Sequence, residues 1–116
     1  MSADDLWNLP DDGLRHELVR GELRTTAPAN YEHGHIGVKL IILLHQHATA
    51  HQLGDVVGTD VGFILARNPD VVRAPDIAFV SRERLERTGI PRKFFPGGPD
   101  LAVEVLSPGD SAEEVE

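Results

Sequence analysis

Apolar and polar positions change rhythm several times along the chain, and each change marks an element. Leu6, Trp7 and Leu9 follow a pair of aspartates and are cut off by Pro10 and Gly13, which predicts a brief helix or turn packed as a lid on the core. Residues 17–26, ELVRGELRTT, alternate partly about Gly21 and predict a bent strand pair or a bulged strand, with a loop over 27–31. Ile36, Leu40, Leu43, Leu44, Ala48 and Ala50 recur at helical spacing, widened by Ile41 and Ile42. A helix is therefore expected from an Asn30 cap to about Leu53, with Gly54 as its stop signal. Valines interrupted by Gly58 and Gly62 predict one or two strands with a tight turn or bulge over 55–69, closed by Asn68-Pro69-Asp70. Asp76 to Val80 reads as strand, Ser81 to Thr88 as a capped helical turn and 89–99 as an irregular loop. Leu101 to Leu106 reads as the last strand, ended by Ser107-Pro108-Gly109, and Asp110-Ser111 as the start of a further helix.

Length and composition narrow the class. With 116 residues and 41% apolar content, the chain is expected to form one domain, residues 1–116, around one modest core. It has no cysteine, hence no disulfide framework and no thiolate zinc site, and no apolar run approaches the ~18 residues of a membrane span. The N-terminal MSADDLWNLPDDG lacks the basic and apolar regions of a signal peptide, so a cytoplasmic protein is expected. A net charge of −8 argues against binding DNA through overall positive charge, yet the charge is uneven. Residues 67–93 hold 7 basic against 4 acidic side chains, and this single net-positive stretch contains Asp76. Its cations could meet a phosphate backbone; a solvated, charged turn and helix is the plainer reading.

Two strings carry the candidate chemistry. RAPDIAFV places Asp76 at the head of an apolar strand, and PDLAVEVLSP places Glu104 inside another. An unpaired ionised carboxylate in low dielectric is very costly, and a divalent cation shared between two such carboxylates would offset that cost. Magnesium, which takes oxygen ligands and keeps several waters, suits such a platform, so the pattern points to a metal-dependent phosphodiesterase. For Glu104, flanked by Ala102 and Leu106 on its own strand face, an ion pair with an arginine is the alternative. Arg73, three residues before Asp76, is the candidate for a bidentate phosphate contact. Lys93, on the loop between the two acidic strands, is a further candidate for the substrate, although a surface role is the favoured reading for it and for Lys39.

These strings also carry a family resemblance. Through LPDDGLRHELVRGEL, HGHIGVKL, RAPDIAFV and PDLAVEVLSPGDS, in that order and over nearly the entire chain, the sequence resembles the PD-(D/E)XK nuclease superfamily and, within it, the Uma family of "putative restriction endonucleases". The resemblance implies an α/β (α+β) fold, a restriction-endonuclease-like mixed sheet flanked by helices. It implies metal bound by Asp76 and Glu104 with the backbone carbonyl of Val105 as a further ligand, and Glu17 as an auxiliary acidic residue. Mg2+, with Mn2+ as the alternative, is the implied cofactor and DNA the implied partner. The motif's lysine is replaced by Leu106; the Uma branch is similar in lacking it there and carries a lysine on the next helix. The chain is accordingly expected to be short at its C-terminus, without the last helix and strand, and to associate as a homodimer through the edge so exposed.

The histidines open other possibilities. His33 and His35 lie near the start of the long helix, and His33 is the one assigned a place near the substrate. His47 and His51 share a helix face and could hold a transition metal. Three functions compete: a magnesium-dependent DNA endonuclease; a catalytically impaired nuclease fold acting as a nucleic-acid-binding or assembly module; and a zinc-binding regulatory module built on the helix histidines.

Overall fold

The structure, a computed structural model, describes residues 1–58 and 60–106; the expected strand end at Ser107-Pro108-Gly109 and the helix start at Asp110-Ser111 lie outside them. Helix α1 (Ala3–Trp7) is opened by a capping box, in which the Ser2 hydroxyl accepts from the Asp5 N–H and the Asp5 carboxylate from the Ser2 N–H. Its inward residues Ala3 and Leu6 join Leu18 and Val72 in one core cluster. The Asp70 carboxylate ties this lid down by accepting the N–H groups of Ala3 (2.8 Å) and Asn68 (3.2 Å), bonds that hold its pKa below the usual carboxylate value.

Strands β1 (Arg15–Val19) and β2 (Glu22–Thr26) form an antiparallel hairpin, so the segment about Gly21 is a strand pair. Arg20 and Gly21 form its two-residue turn with φ of 52° and 76°, the twist that a tight hairpin requires. Helix α2 (Tyr31–Ala50) starts at the expected cap, with the Asn30 side chain accepting the His33 N–H at 2.8 Å. It ends before Leu53, with Gln52 taking a positive φ of 52° and the Leu53 N–H returning to the Ala48 carbonyl at 2.9 Å. Gly54 is not the stop signal. It opens β3 (Gly54–Val57) at φ 150°, where an added Cβ would collide with the Val80 carbonyl oxygen of the neighbouring strand. Gly54→Ala is expected to cost about 1–3 kcal/mol in thermal unfolding, the scale of overpacking, whereas Gly34→Ala, with open space around it, should cost nothing.

Strand β4 (Phe63–Ala66) does not pair with β3; the two strands lie in different sheets and form no hairpin. The anticipated irregularity sits inside β4, where its register against β5 (Val71–Arg73) shifts between Ile64 and Ala66. With β6 (Ile77–Ser81), β7 (Phe95–Pro96) and β8 (Leu101–Val103), the strands form two sheets. One has five strands in the order β2-β1-β5-β4-β7 and is mixed, because β7 runs parallel to β4; the other is the antiparallel β3-β6-β8. Helix α3 (Arg82–Thr88) follows β6, capped by Ser81. Phe63 and Phe95 from the larger sheet pack with Ala78 and Val80 from the smaller, and this second cluster holds the sheets together.

The fold is thus the expected mixed α/β arrangement, with its strands divided between two sheets. Helix α2 departs from its sequence pattern: Ala48 is its buried apolar residue, while Ile36, Val38, Ile42 and Leu43 are exposed. The helix rests against β3, and only the side that carries Ala48 is covered. Among the described residues no helix is long and apolar enough to cross a membrane.

Candidate active site

The register of β6 against β8 pairs Ile77 with Val103, which brings the next residues outward, Asp76 and Glu104, together where the ladder ends. Their carboxyls lie close enough for each to shift the other's ionisation. Asp76 is 3% exposed and fully engaged. Its Oδ2 accepts the Val105 N–H at 2.8 Å and lies 2.9 Å from His33 Nε2, while its Oδ1 faces Arg15 Nη1 at 3.4 Å. Burial opposes its charge, but the bonds from Val105, Glu104 and His33 outweigh burial and hold its pKa below the ordinary value. An ionised Asp76 requires the His33 Nε2 to carry the proton between them.

Glu104 takes the opposite shift. Glu104 is exposed as a residue, yet desolvation of its carboxyl together with the adjacent Asp76 pushes its pKa up to about 7. Two neighbouring carboxyls cannot both ionise cheaply, so Glu104 holds its proton the more tightly while Asp76 stays charged. The alternative partner for Glu104, an arginine, is not what it meets; Arg15 approaches Asp76 instead.

Strand β1 supplies the third carboxylate. Glu17 Oε2 accepts the Ala74 N–H at 2.7 Å and Arg73 Nε at 3.2 Å, so the segment 73–74 pins the side chain in place. Arg15, Glu17, His33, Arg73, Asp76 and Glu104 all line one cleft of about 480 Å³, to which Val105 and Leu106 also contribute. Lys93 is exposed and lies outside this lining, as does Lys39, so among the described residues no lysine faces the cleft.

Arg15 is the residue that the sequence reading missed. Its Nε pairs with Asp60 Oδ1 at 3.0 Å, its Nη2 donates to the Ala74 carbonyl at 2.8 Å and its Nη1 faces Asp76. The signal was strand alternation, because a residue two before Glu17 shares its face. His47 and His51 lie together at the C-terminal end of α2, with ring centroids 4.5 Å apart and ring planes tilted by 52°. Among the described residues, no three or more His, Cys, Asp or Glu side chains are gathered to hold a metal ion. The donor set at the cleft is instead the pair of neighbouring carboxyls, Asp76 and Glu104, and such oxygen donors suit a hard cation that completes its shell with water.

No curated protein matches the chain. Its fold is similar to the crystal structure of a protein described as a "putative nuclease belonging to DUF820" from Anabaena variabilis, with a TM-score of 0.80 and 20% identity. The match covers 99% of this chain and 63% of that one, so the chain spans 63% of the length of its structural relative. Residues 3–116 match the Uma2 family, described as "putative restriction endonuclease", and the chain therefore belongs to the Uma2 family.

Proposed function

We propose that the protein is a metal-dependent DNA endonuclease that hydrolyses phosphodiester bonds in the cleft at the end of the β6–β8 ladder. The observation that carries this reading is the meeting of Asp76 and Glu104 at the end of the β6–β8 ladder, in a cleft that also presents Arg15 and Arg73. Two carboxylates brought this close repel each other, and a divalent cation between them would offset that repulsion. Asp76 and Glu104, with the carbonyl of Val105, would hold Mg2+ or Mn2+. Bound there, the ion would supply Lewis-acid charge to the phosphate and lower the pKa of a water.

The chain's own groups prepare that site. The Val105 N–H and His33 fix the Asp76 carboxylate in one orientation, and the Ala74 N–H does the same for Glu17. Arg73 and Arg15 offer guanidinium N–H groups to the phosphate oxygens, and Glu17 orients Arg73 from within the cleft. Glu104 has to lose its proton before it can ligate, and its raised pKa puts that loss near pH 7.

Plasmid DNA is expected to be cut in Mg2+ and left intact in EDTA, with the rate rising as the pH passes about 7, because below that value Glu104 holds its proton against the cation. Cleavage undiminished by EDTA, or rising as the pH falls, would contradict the reading. The second reading, binding or assembly without efficient hydrolysis, draws on the same cleft: Leu106 stands at its edge, no lysine among the described residues faces it, and both of its arginines are already paired with carboxylates. Mg2+-dependent DNA retention without strand breaks would favour that second reading.

A further inference from the structure

Beside the cleft lies a smaller groove of about 220 Å³, lined by Leu6, Trp7, Leu14 and Phe94, with Arg15, His16 and Asp60 on its polar side. It shares Arg15 and Ala74 with the lining of the cleft, so the two lie side by side. At this volume it falls below the roughly 300 Å³ at which pockets for drug-sized ligands begin, which leaves room for one ring system.

The groove's aromatic wall is exposed. Trp7 retains 43% of its surface in solvent although it is large and apolar, and Leu14 beside it retains 43%. Phe94 meets Trp7 edge to face, with centroids 5.3 Å apart at 87°, which fixes the indole without covering it. Gly62 makes this possible, because a Cβ there would press on the Phe94 ring. The groove's charges are already satisfied: Asp60 is paired with Arg15 at 3.0 Å, and His16 Nε2 with Asp12 at 3.0 Å. What remains is a flat apolar surface edged by donors and acceptors but offering no free cation to a phosphate.

We infer that Trp7 and Phe94 form a stacking subsite for a nucleobase next to the phosphate that the cleft acts on. The inference rests on the nuclease reading and adds a substrate class to it. A base can reach the indole only when it is out of the duplex stack, so the preferred DNA is single-stranded, frayed or flapped near the cleaved bond. Stacking of a base on an aromatic side chain tolerates any sequence, because every base has a π face.

Trp7 is the chain's single tryptophan, so its intrinsic emission reports this groove in the unaltered protein. The experiment compares a short single-stranded oligonucleotide with a tetrahydrofuran abasic strand of equal length, titrated with Ca2+ in place of Mg2+. Both strands are expected to bind, with only the base-bearing strand quenching Trp7. Trp7→Ala should weaken binding of the base-bearing strand about 5- to 150-fold, the range that one stacked base spans, and leave the abasic strand unchanged. Trp7→Phe should retain most of the affinity, which guards against a folding defect in the alanine variant. Binding of the base-bearing strand with unchanged Trp7 emission, or equal losses for both strands on substitution, would overturn the subsite and leave the nuclease reading standing. If neither strand binds and plasmid is not cut in Mg2+, the nuclease reading itself falls and the subsite with it.

Discussion

Under the proposed function, Asp76→Ala is expected to lower metal-dependent cleavage on the order of 10²- to 10³-fold or more, the scale on which removal of one preorganised charge-stabilising group acts. Among the described residues, no other carboxylate in the cleft is held in place by as many partners. Asp76 takes the Val105 N–H and His33 on one oxygen and faces Arg15 with the other, at 3% exposure. Alanine leaves all three partners without an acceptor, so part of the loss would come from a disturbed site. Asp76→Asn narrows the cause: the amide oxygen can still accept from Val105 and His33, while the charge is gone and an NH2 replaces the oxygen that faces Arg15. A time course of plasmid nicking over a Mg2+ titration is the measurement. Wild-type rates for Asp76→Asn would show that the carboxylate is not a ligand.

Leu18→Ala is expected to cost about 2–5 kcal/mol, the range for emptying a buried leucine site, and to lower the melting temperature on the order of 10 °C or more. Leu18 is 0% exposed, pairs with Val72 across β1 and β5, and packs under Ala3 and Leu6 of α1. The same strand carries Arg15 and Glu17 on its other face. Denaturation followed by circular dichroism would show the cost; a variant that melts with the wild type would mean that the lid and the hairpin are not one cooperative unit.

That Asp76 and Glu104 come together was legible from two carboxylates set against apolar strands, and Asp76 is indeed buried, whereas the last strand stops at Val103 and Glu104 lies exposed beyond its end instead of inside it. The Asn30 and Ser81 caps were legible for a local reason, since each acts on an N–H three residues ahead. Arg15 was not, because its value depends on Asp60 and Asp76, 45 and 61 positions away, and only tertiary structure joins them. The three residues of β5 are too few to show an alternation, although the strand lies at the centre of the larger sheet. Gly54 misled because a glycine after a helical run reads as a stop signal, while its actual constraint is the approach of the β6 backbone. The division of the strands between two sheets left no mark, since the apolar residues of β3 and β4 read alike whichever neighbour they pair with.

Residues 74–76 carry the chain from the larger sheet to the smaller, and the cleft straddles that passage. Arg15, Glu17 and Arg73 belong to one sheet, Asp76 and Glu104 to the edge of the other. A ligand that engages both halves binds only while the sheets are docked, so its binding free energy adds directly to the free energy of docking. At a hundredfold excess over its dissociation constant such a ligand contributes about 2.7 kcal/mol, a sizeable fraction of the total stability of a small domain. The site is therefore also a strut, and occupancy makes the scaffold more resistant to unfolding than it is when empty.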